Sequence, residues 1–243
     1  MSLRFFYQDT IEQFLNTPLE TIIGKLSDAH SHNFDLTGTQ TQAWKEQIVL
    51  LQSILVPYKN RGCIFFEYSI PRMGRRIDTV LLIDGIVFIL EFKVYCQQFE
   101  KADIAQVWDY ALDLKNFHEA SHNRTIVPIL VATNAPDKEN RFINYDDFVV
   151  HPVVSNTKNL PTLLEKALNL FQGEKDSDAL WAISRYAPTP TIVEAACALY
   201  NEHTVDDISR TDASAKNLSD TCSFIDAVID KAKKKSSKHF ALS

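Results

Sequence analysis

No apolar run in this chain approaches eighteen residues, so nothing in it reads as a membrane-spanning helix. Its amino terminus lacks the basic-then-apolar pattern of a secretory signal. The expectation is a protein with no membrane association. Cysteine is sparse: Cys63, Cys96, Cys197 and Cys222 are scattered, with no CxxC pair among them. That excludes a disulfide-built scaffold and predicts reduced thiols in a cytoplasmic protein. No GxxxxGK[ST] occurs, so the chain holds no phosphate loop of an ATPase. Positive charge is in deficit, 25 Lys and Arg against 31 Asp and Glu, for a net −6. Indiscriminate coating of nucleic acid is therefore disfavoured. A local basic rim is still available from Arg72, Arg75 and Arg76.

What is present is ordinary for a globular fold: 243 residues, 45% hydrophobic and 23% charged, enough for one large or two small domains. The most informative stretch runs from Arg76 to Val94. Two apolar, β-branched runs flank Asp84-Gly85, the signature of a hairpin closed by a two-residue type I′ turn. That turn pairs Ile83 with Ile86 and, counting back, sets Asp78 opposite Glu91. Lys93, two residues on, shares Glu91's face. Facing Cβ atoms in such a ladder lie roughly 4.5–5.5 Å apart. Val80, Leu82, Val87 and Ile89 are expected on the face of Asp78 and Glu91, and Ile77, Leu81, Ile83, Phe88, Leu90 and Phe92 on the other. With both faces apolar, these are internal strands covered on two sides. Carboxylates at the end of such strands lack solvent and call for a counter-ion; a divalent cation fits.

Along the rest of the chain, short helices are predicted around Phe5–Leu15 and Leu19–Leu26, and an amphipathic helix over 40–55 with Trp44, Ile48, Leu51 and Leu55 on one stripe. A strand follows at Cys63–Ile70, then a helix at 103–118, a buried strand at Thr125–Thr133, an apolar run at Phe148–Ser155 and a helix at Leu160–Phe171. Strand, helix, strand in that order implies a crossover and a parallel neighbour for the second hairpin strand. The fold class expected is α/β: a mixed sheet with helices on both faces. After a polar linker at Gly173–Asp178, helices are predicted at Ile192–Tyr200 and near 216–235, the latter ending in Lys233, Lys234 and Lys235 as a solvated, dipole-favoured end.

Asp78 followed by Glu91-Phe92-Lys93 resembles the core of the PD-(D/E)XK nuclease superfamily. Gln106 and Tyr110 on the next helix match the Gln-x-x-x-Tyr motif of its RecB-like branch. Trp44, the run Glu67–Pro71 and the helix from Gln106 to Leu114 look like the amino-terminal nuclease-like domain fused to Schlafen group 3-like superfamily 1 helicases. The resemblance covers residues 1 to about 155 well and the remainder loosely. Ile77 stands where the superfamily pattern has Pro. A restriction-endonuclease-like domain over 1–172 is implied, with a mainly helical extension at 173–243 leading toward a helicase motor that this chain does not contain.

The function implied is metal-dependent hydrolysis of phosphodiester bonds, DNA ahead of RNA, with Mg²⁺ or Mn²⁺ as cofactor. Asp78 and Glu91 would bind the metal, with the Phe92 carbonyl a further ligand, and Lys93 would stabilise developing charge. By resemblance Gln106 and Tyr110 contact the metal site or the substrate backbone, and Arg75 and Arg76 supply cations beside it. Nucleic acid and a helicase, joined or separate, are the expected partners. A third acid is open between Glu67 and Glu46. If Met73-Gly74 is a two-residue turn, Glu67 pairs with Val80, one diagonal step from Asp78. His30-Ser31-His32 reads as a polar loop. The alternative to an enzyme is a catalytically silent nucleic-acid-binding or interaction domain on the same fold.

Overall fold

Six strands lie side by side in the order in which the chain makes them, and the reason is visible in their turns. In this computed structural model, residues 4–31, 38–145, 147–173 and 178–186 are described. The strands are β1 (Tyr7–Thr10), β2 (Gly62–Ile70), β3 (Arg75–Ile83), β4 (Ile86–Lys93), β5 (Ile126–Ala132) and β6 (Val153–Ser155), in sheet order β1-β2-β3-β4-β5-β6. The first four are antiparallel and β4-β5-β6 are parallel, so the sheet is mixed. Helices α1 (Ile11–Asn16), α2 (Leu19–Ser31), α3 (Gly38–Ile54) and α5 (Leu160–Leu170) cover one face. Helices α4 (Lys101–Phe117) and α6 (Asp178–Trp181) cover the other. The expected α/β architecture with helices on both faces is present. No helix among the described residues is long and apolar enough to cross a membrane.

The β3–β4 hairpin has the predicted register, Ile83 with Ile86 through Thr79 with Leu90. Asp84 and Gly85 both take positive φ, 50° and 80°, as a type I′ turn requires. The β2–β3 connection differs from expectation. Pro71 cannot donate to a ladder, and Pro71–Met73 instead form a 3-10 turn closed by Gly74 in the left-handed region. The loop is four residues rather than two, so the register moves by two: Phe65 pairs with Val80, not Glu67 with Val80. Glu67 comes level with Asp78, between the pairs Phe66–Thr79 and Tyr68–Ile77.

At that level the strands change face. Glu67 has φ 52°, a conformation that costs a non-glycine residue on the order of 1 kcal/mol. Before it Cys63 and Phe65 pack on the α4 side; after it Tyr68 and Ile70 do. Ile77 packs there too, which corrects its assignment to the opposite face. A second difference lies at the amino terminus. Residues 7–10 are a strand, and the helix expected across Phe5–Leu15 begins only at Ile11, where the Thr10 side chain accepts the Gln13 N–H at 3.2 Å.

Contacts divide the chain into Met1–Arg185 and Tyr186–Ser243. Within the first unit, Trp181 is fully buried against Phe65, Tyr68 and His118, with ring centroids 5.4, 5.0 and 4.5 Å away. Residues 178–185 therefore belong with the sheet, beyond the boundary expected at 172. The helices expected at 192–200 and 216–235, with Lys233–Lys235, lie outside the described residues.

Candidate active site

The end of the sheet where β4 and β5 present their carboxyl termini is also where the β2 and β3 faces switch. In α/β sheets this edge is the usual place for a ligand. Odd positions of β4 bond β5: Val87 N–H donates to the Thr125 carbonyl, and the Lys93 carbonyl accepts from Thr133. Even positions therefore face β3. The last, Phe92, finds no β3 backbone partner because the ladder stops at Leu90. Its N–H donates to Asp78 Oδ2 at 2.8 Å instead. The Phe92 carbonyl leaves the strand on the same edge, toward Asp78.

Glu91 projects onto the α4 side and is 4% exposed. Its Oε1 accepts from Gln106 Nε2 at 2.8 Å and from Lys93 Nζ at 3.1 Å. Its Oε2 is buried and has no hydrogen-bond partner among the described residues. Lys93 Nζ reaches three acceptors: Glu91, Gln106 Oε1 at 3.3 Å and Asp103 Oδ1 at 3.3 Å. Gln106 also donates to Tyr110 Oη at 2.8 Å. One helical turn separates Gln106 from Tyr110, so one face of α4 supports the whole row. Tyr110 is 1% exposed and stands behind Gln106. It positions the amide and does not itself meet solvent.

The electrostatics follow from this packing. Burial raises Asp78 well above the usual carboxylate range, and the neighbouring Glu91 and Glu67 push it further; the Phe92 N–H and Lys93 oppose. Burial also raises Glu91, against the pull of Lys93. Lys93 is lowered by burial but raised more by Glu91 and Asp103, so it stays an ammonium. Three carboxylates, Asp78, Glu91 and Asp103, share a site with one cation, Lys93, which bonds Glu91 and Asp103. A dication would relieve Asp78 and Glu91.

The remaining expected residues are placed as follows. Glu67 is 5% exposed with both oxygens engaged: Oε1 by Trp44 Nε1 at 2.9 Å and Gln40 Nε2 at 3.1 Å, Oε2 by Arg76 Nε at 2.9 Å. These bonds hold its strained backbone and occupy both carboxylate oxygens with protein donors, Oε2 with Arg76 alone. Glu46, its rival, is exposed on α3 and accepts from Gln42 and from Tyr95 Oη, on the other side of β4. Arg76 is held by Glu67 and stacked on Phe6, and Arg72 is held by Asp113 at 2.8 Å. Arg75 is exposed and has no ion pair among the described residues. His30 sits in the last turn of α2, 8% exposed and edge-on to Trp44, rather than in a loop. His32 lies outside the described residues.

Among the described residues no group of three or more His, Cys, Asp or Glu side chains is arranged to hold a metal ion. The donor set is smaller: Asp78, with one hydrogen bond, and the unpartnered Oε2 of Glu91. Two carboxylate donors suit Mg²⁺, which keeps several waters and takes further oxygens from a substrate phosphate. Sequence reasoning missed Asp103. Its signal was available: three residues before Gln106, it shares that residue's helix face. No family model, curated protein or solved structure matches the chain.

Proposed function

We propose that this chain is a metal-dependent nuclease that hydrolyses phosphodiester bonds, DNA ahead of RNA, and that it is related to the PD-(D/E)XK superfamily with a restriction-endonuclease-like core. One observation carries the reading: Glu91 Oε2, buried and unpartnered among the described residues, beside the half-buried carboxylate of Asp78. A fold that keeps such a pair without using it forfeits stability for nothing. Asp78 and Glu91 would hold Mg²⁺ or Mn²⁺, with the Phe92 carbonyl available on the same edge. When bound, the ion neutralises the substrate phosphate and lowers the pKa of its water.

The chain's own groups do the rest. Lys93 is a permanent cation at the strand end, and its ammonium turns a donor from Asp103 toward a phosphate oxygen as charge develops there. Gln106 fixes Glu91 and Lys93 together, and Tyr110 fixes Gln106. Arg75, exposed and without an ion pair among the described residues, would grip the substrate backbone. Hydrolysis adds water oxygen to phosphorus, breaks one P–O ester bond, and returns the protons to the leaving oxygen and solvent.

A second reading, a silent binding module on the same fold, is favoured by one fact: the third acid, Glu67, is tied to Trp44, Gln40 and Arg76. Labelled single- and double-stranded DNA and RNA, incubated with Mn²⁺ or EDTA, separate the two. Lys93→Met should keep Mn²⁺ binding and lose roughly 10²–10³ in cleavage rate, the scale of one electrostatic group in a transition state. A parent that cleaves none of these substrates with metal is the silent module.

A further inference from the structure

On the side of β4 opposite Lys93, a cavity of about 290 Å³ opens between α3 and the segments that follow β4, β5 and β6. Val49, Leu50 and the Phe92 ring give it apolar walls. Gln47 lines it, 4% exposed, and its Oε1 has no hydrogen-bond partner among the described residues. A buried amide oxygen without a donor is uncommon in native folds. At the rim stands Tyr95, 58% exposed with φ 64°, a left-handed conformation rare for an aromatic residue. It is fixed there: its N–H donates to Thr133 Oγ1 at 2.7 Å, and its hydroxyl to Glu46 Oε1 at 3.1 Å.

These features select a chemistry. No Lys or Arg lines the cavity, and Glu46 does, so an anionic group is unwelcome inside. A flat, neutral ring with an N–H donor on its edge suits the apolar walls and the vacant acceptor. A fixed, exposed aromatic ring is a stacking platform of the kind that single-stranded nucleic acids use. Phe92 joins this cavity to the catalytic pair, because its ring lines the one while its N–H holds Asp78.

We propose that this cavity is a nucleobase subsite. The base of a nucleotide beside the scissile phosphate enters along Phe92 and gives an exocyclic amino hydrogen to Gln47 Oε1, while the next base stacks on Tyr95. The proposal rests on the nuclease reading and names the part of a single strand held beyond the cleaved bond.

Nuclear magnetic resonance of the Gln47 side-chain amide tests the pocket directly. Adenosine 5′-monophosphate should shift it, and purine riboside 5′-monophosphate, which lacks the amino group, should bind about fivefold more weakly, the value of one hydrogen bond. A single-stranded oligodeoxynucleotide in EDTA, where nothing is cut, should bind Tyr95→Ala about 5- to 100-fold more weakly than the parent. Gln47→Met, which fills the space without an acceptor, should weaken it likewise, and both variants should bind Mn²⁺ as the parent does. A Gln47 amide indifferent to both nucleotides, with equal oligonucleotide affinity in all three proteins, overturns the subsite. If that parent still cleaves with Mn²⁺, the nuclease reading stands without it. A parent that never cleaves, but whose Gln47 amide prefers the amino-bearing base, keeps the subsite and loses the nuclease.

Discussion

Glu91→Gln removes one charge and almost no volume, and its effect should reverse sign with metal. In EDTA the parent carries a buried carboxylate oxygen with no partner, next to a second carboxylate. An unsatisfied buried group costs about 1–3 kcal/mol. The amide retains an oxygen for Gln106 and Lys93 and ends the repulsion with Asp78. Lys93 loses a charge partner but keeps Asp103 at 3.3 Å and is a quarter exposed, so that loss stays within about 1 kcal/mol. The variant should therefore be the more stable protein without metal. At about 2–4 °C per kcal/mol for a chain of this size, its midpoint should rise by several degrees. With Mn²⁺ at a hundred times the parent's Kd, the parent gains about 2.7 kcal/mol by mass action and the variant little. The order of stability should then be equal or inverted. Calorimetry gives the Kd, and thermal unfolding by circular dichroism in EDTA and in Mn²⁺ gives the order. A parent that is more stable than Glu91→Gln in EDTA, or Mn²⁺ raising both midpoints equally, refutes the reasoning.

His118 offers a test of acid stability. Burial, with Arg4, His122 and Arg124 nearby, lowers it from 6.5 to about 3. The unfolded chain binds its proton first, so stability falls as pH drops from 6.5 toward 3, by about 2 kcal/mol at pH 5. Urea unfolding of His118→Asn should show a correspondingly flatter pH dependence; an unchanged slope removes His118 as the cause. Ending the chain after Gly173 deletes Trp181 and opens the core at Phe65 and Tyr68, a loss of about 3–5 kcal/mol. Ending it after Tyr186 should cost far less, and equal urea midpoints for the two would place Trp181 outside the cooperative unit. Arg75→Ala should reduce the salt dependence of duplex DNA binding by about 0.9 in log–log slope. Arg72→Ala, whose guanidinium is already spent on Asp113, should leave it nearly unchanged, and identical slopes for both deny Arg75 a phosphate contact.

Local chemistry made part of this molecule legible in its sequence. Asp84-Gly85 admits one turn type, and that turn alone fixes which residues of β3 and β4 face each other. Gln106 and Tyr110 are one helical turn apart, so their common face needed only the helix. The β2–β3 register stayed conditional in the sequence because Pro71–Gly74 wind into a 3-10 turn, and nothing in four residues distinguishes that from a tighter hairpin. Tyr7–Thr10 has no clear alternation; it is a strand because it pairs with the backbone of β2. The engagement of Glu67 by Trp44 and Arg76, and the burial of Trp181, join residues far apart in sequence. Gln47 was hidden differently: it sits within the apolar stripe of Trp44, Ile48 and Leu51, where a polar side chain leaves no periodic mark.

The strand order has a consequence for how the molecule is made. Every strand lies beside its chain neighbour, β1 included, although three helices separate β1 from β2 in the chain. The β2-β3-β4 meander closes over short loops and can form as soon as those residues leave the ribosome, whereas the parallel pairing of β4 with β5 must wait for α4 and a long loop closure. Asp78 and Glu91 thus meet early, on a bare sheet face wet on the α4 side. Water and counter-ions shield them there at little cost. Docking of α4 later brings Gln106, Asp103 and Tyr110 and strips that water away. The penalty of the acidic pair accordingly falls late, on the unfolding side of the barrier. Metal ions should slow unfolding of the finished domain far more than they hasten its folding.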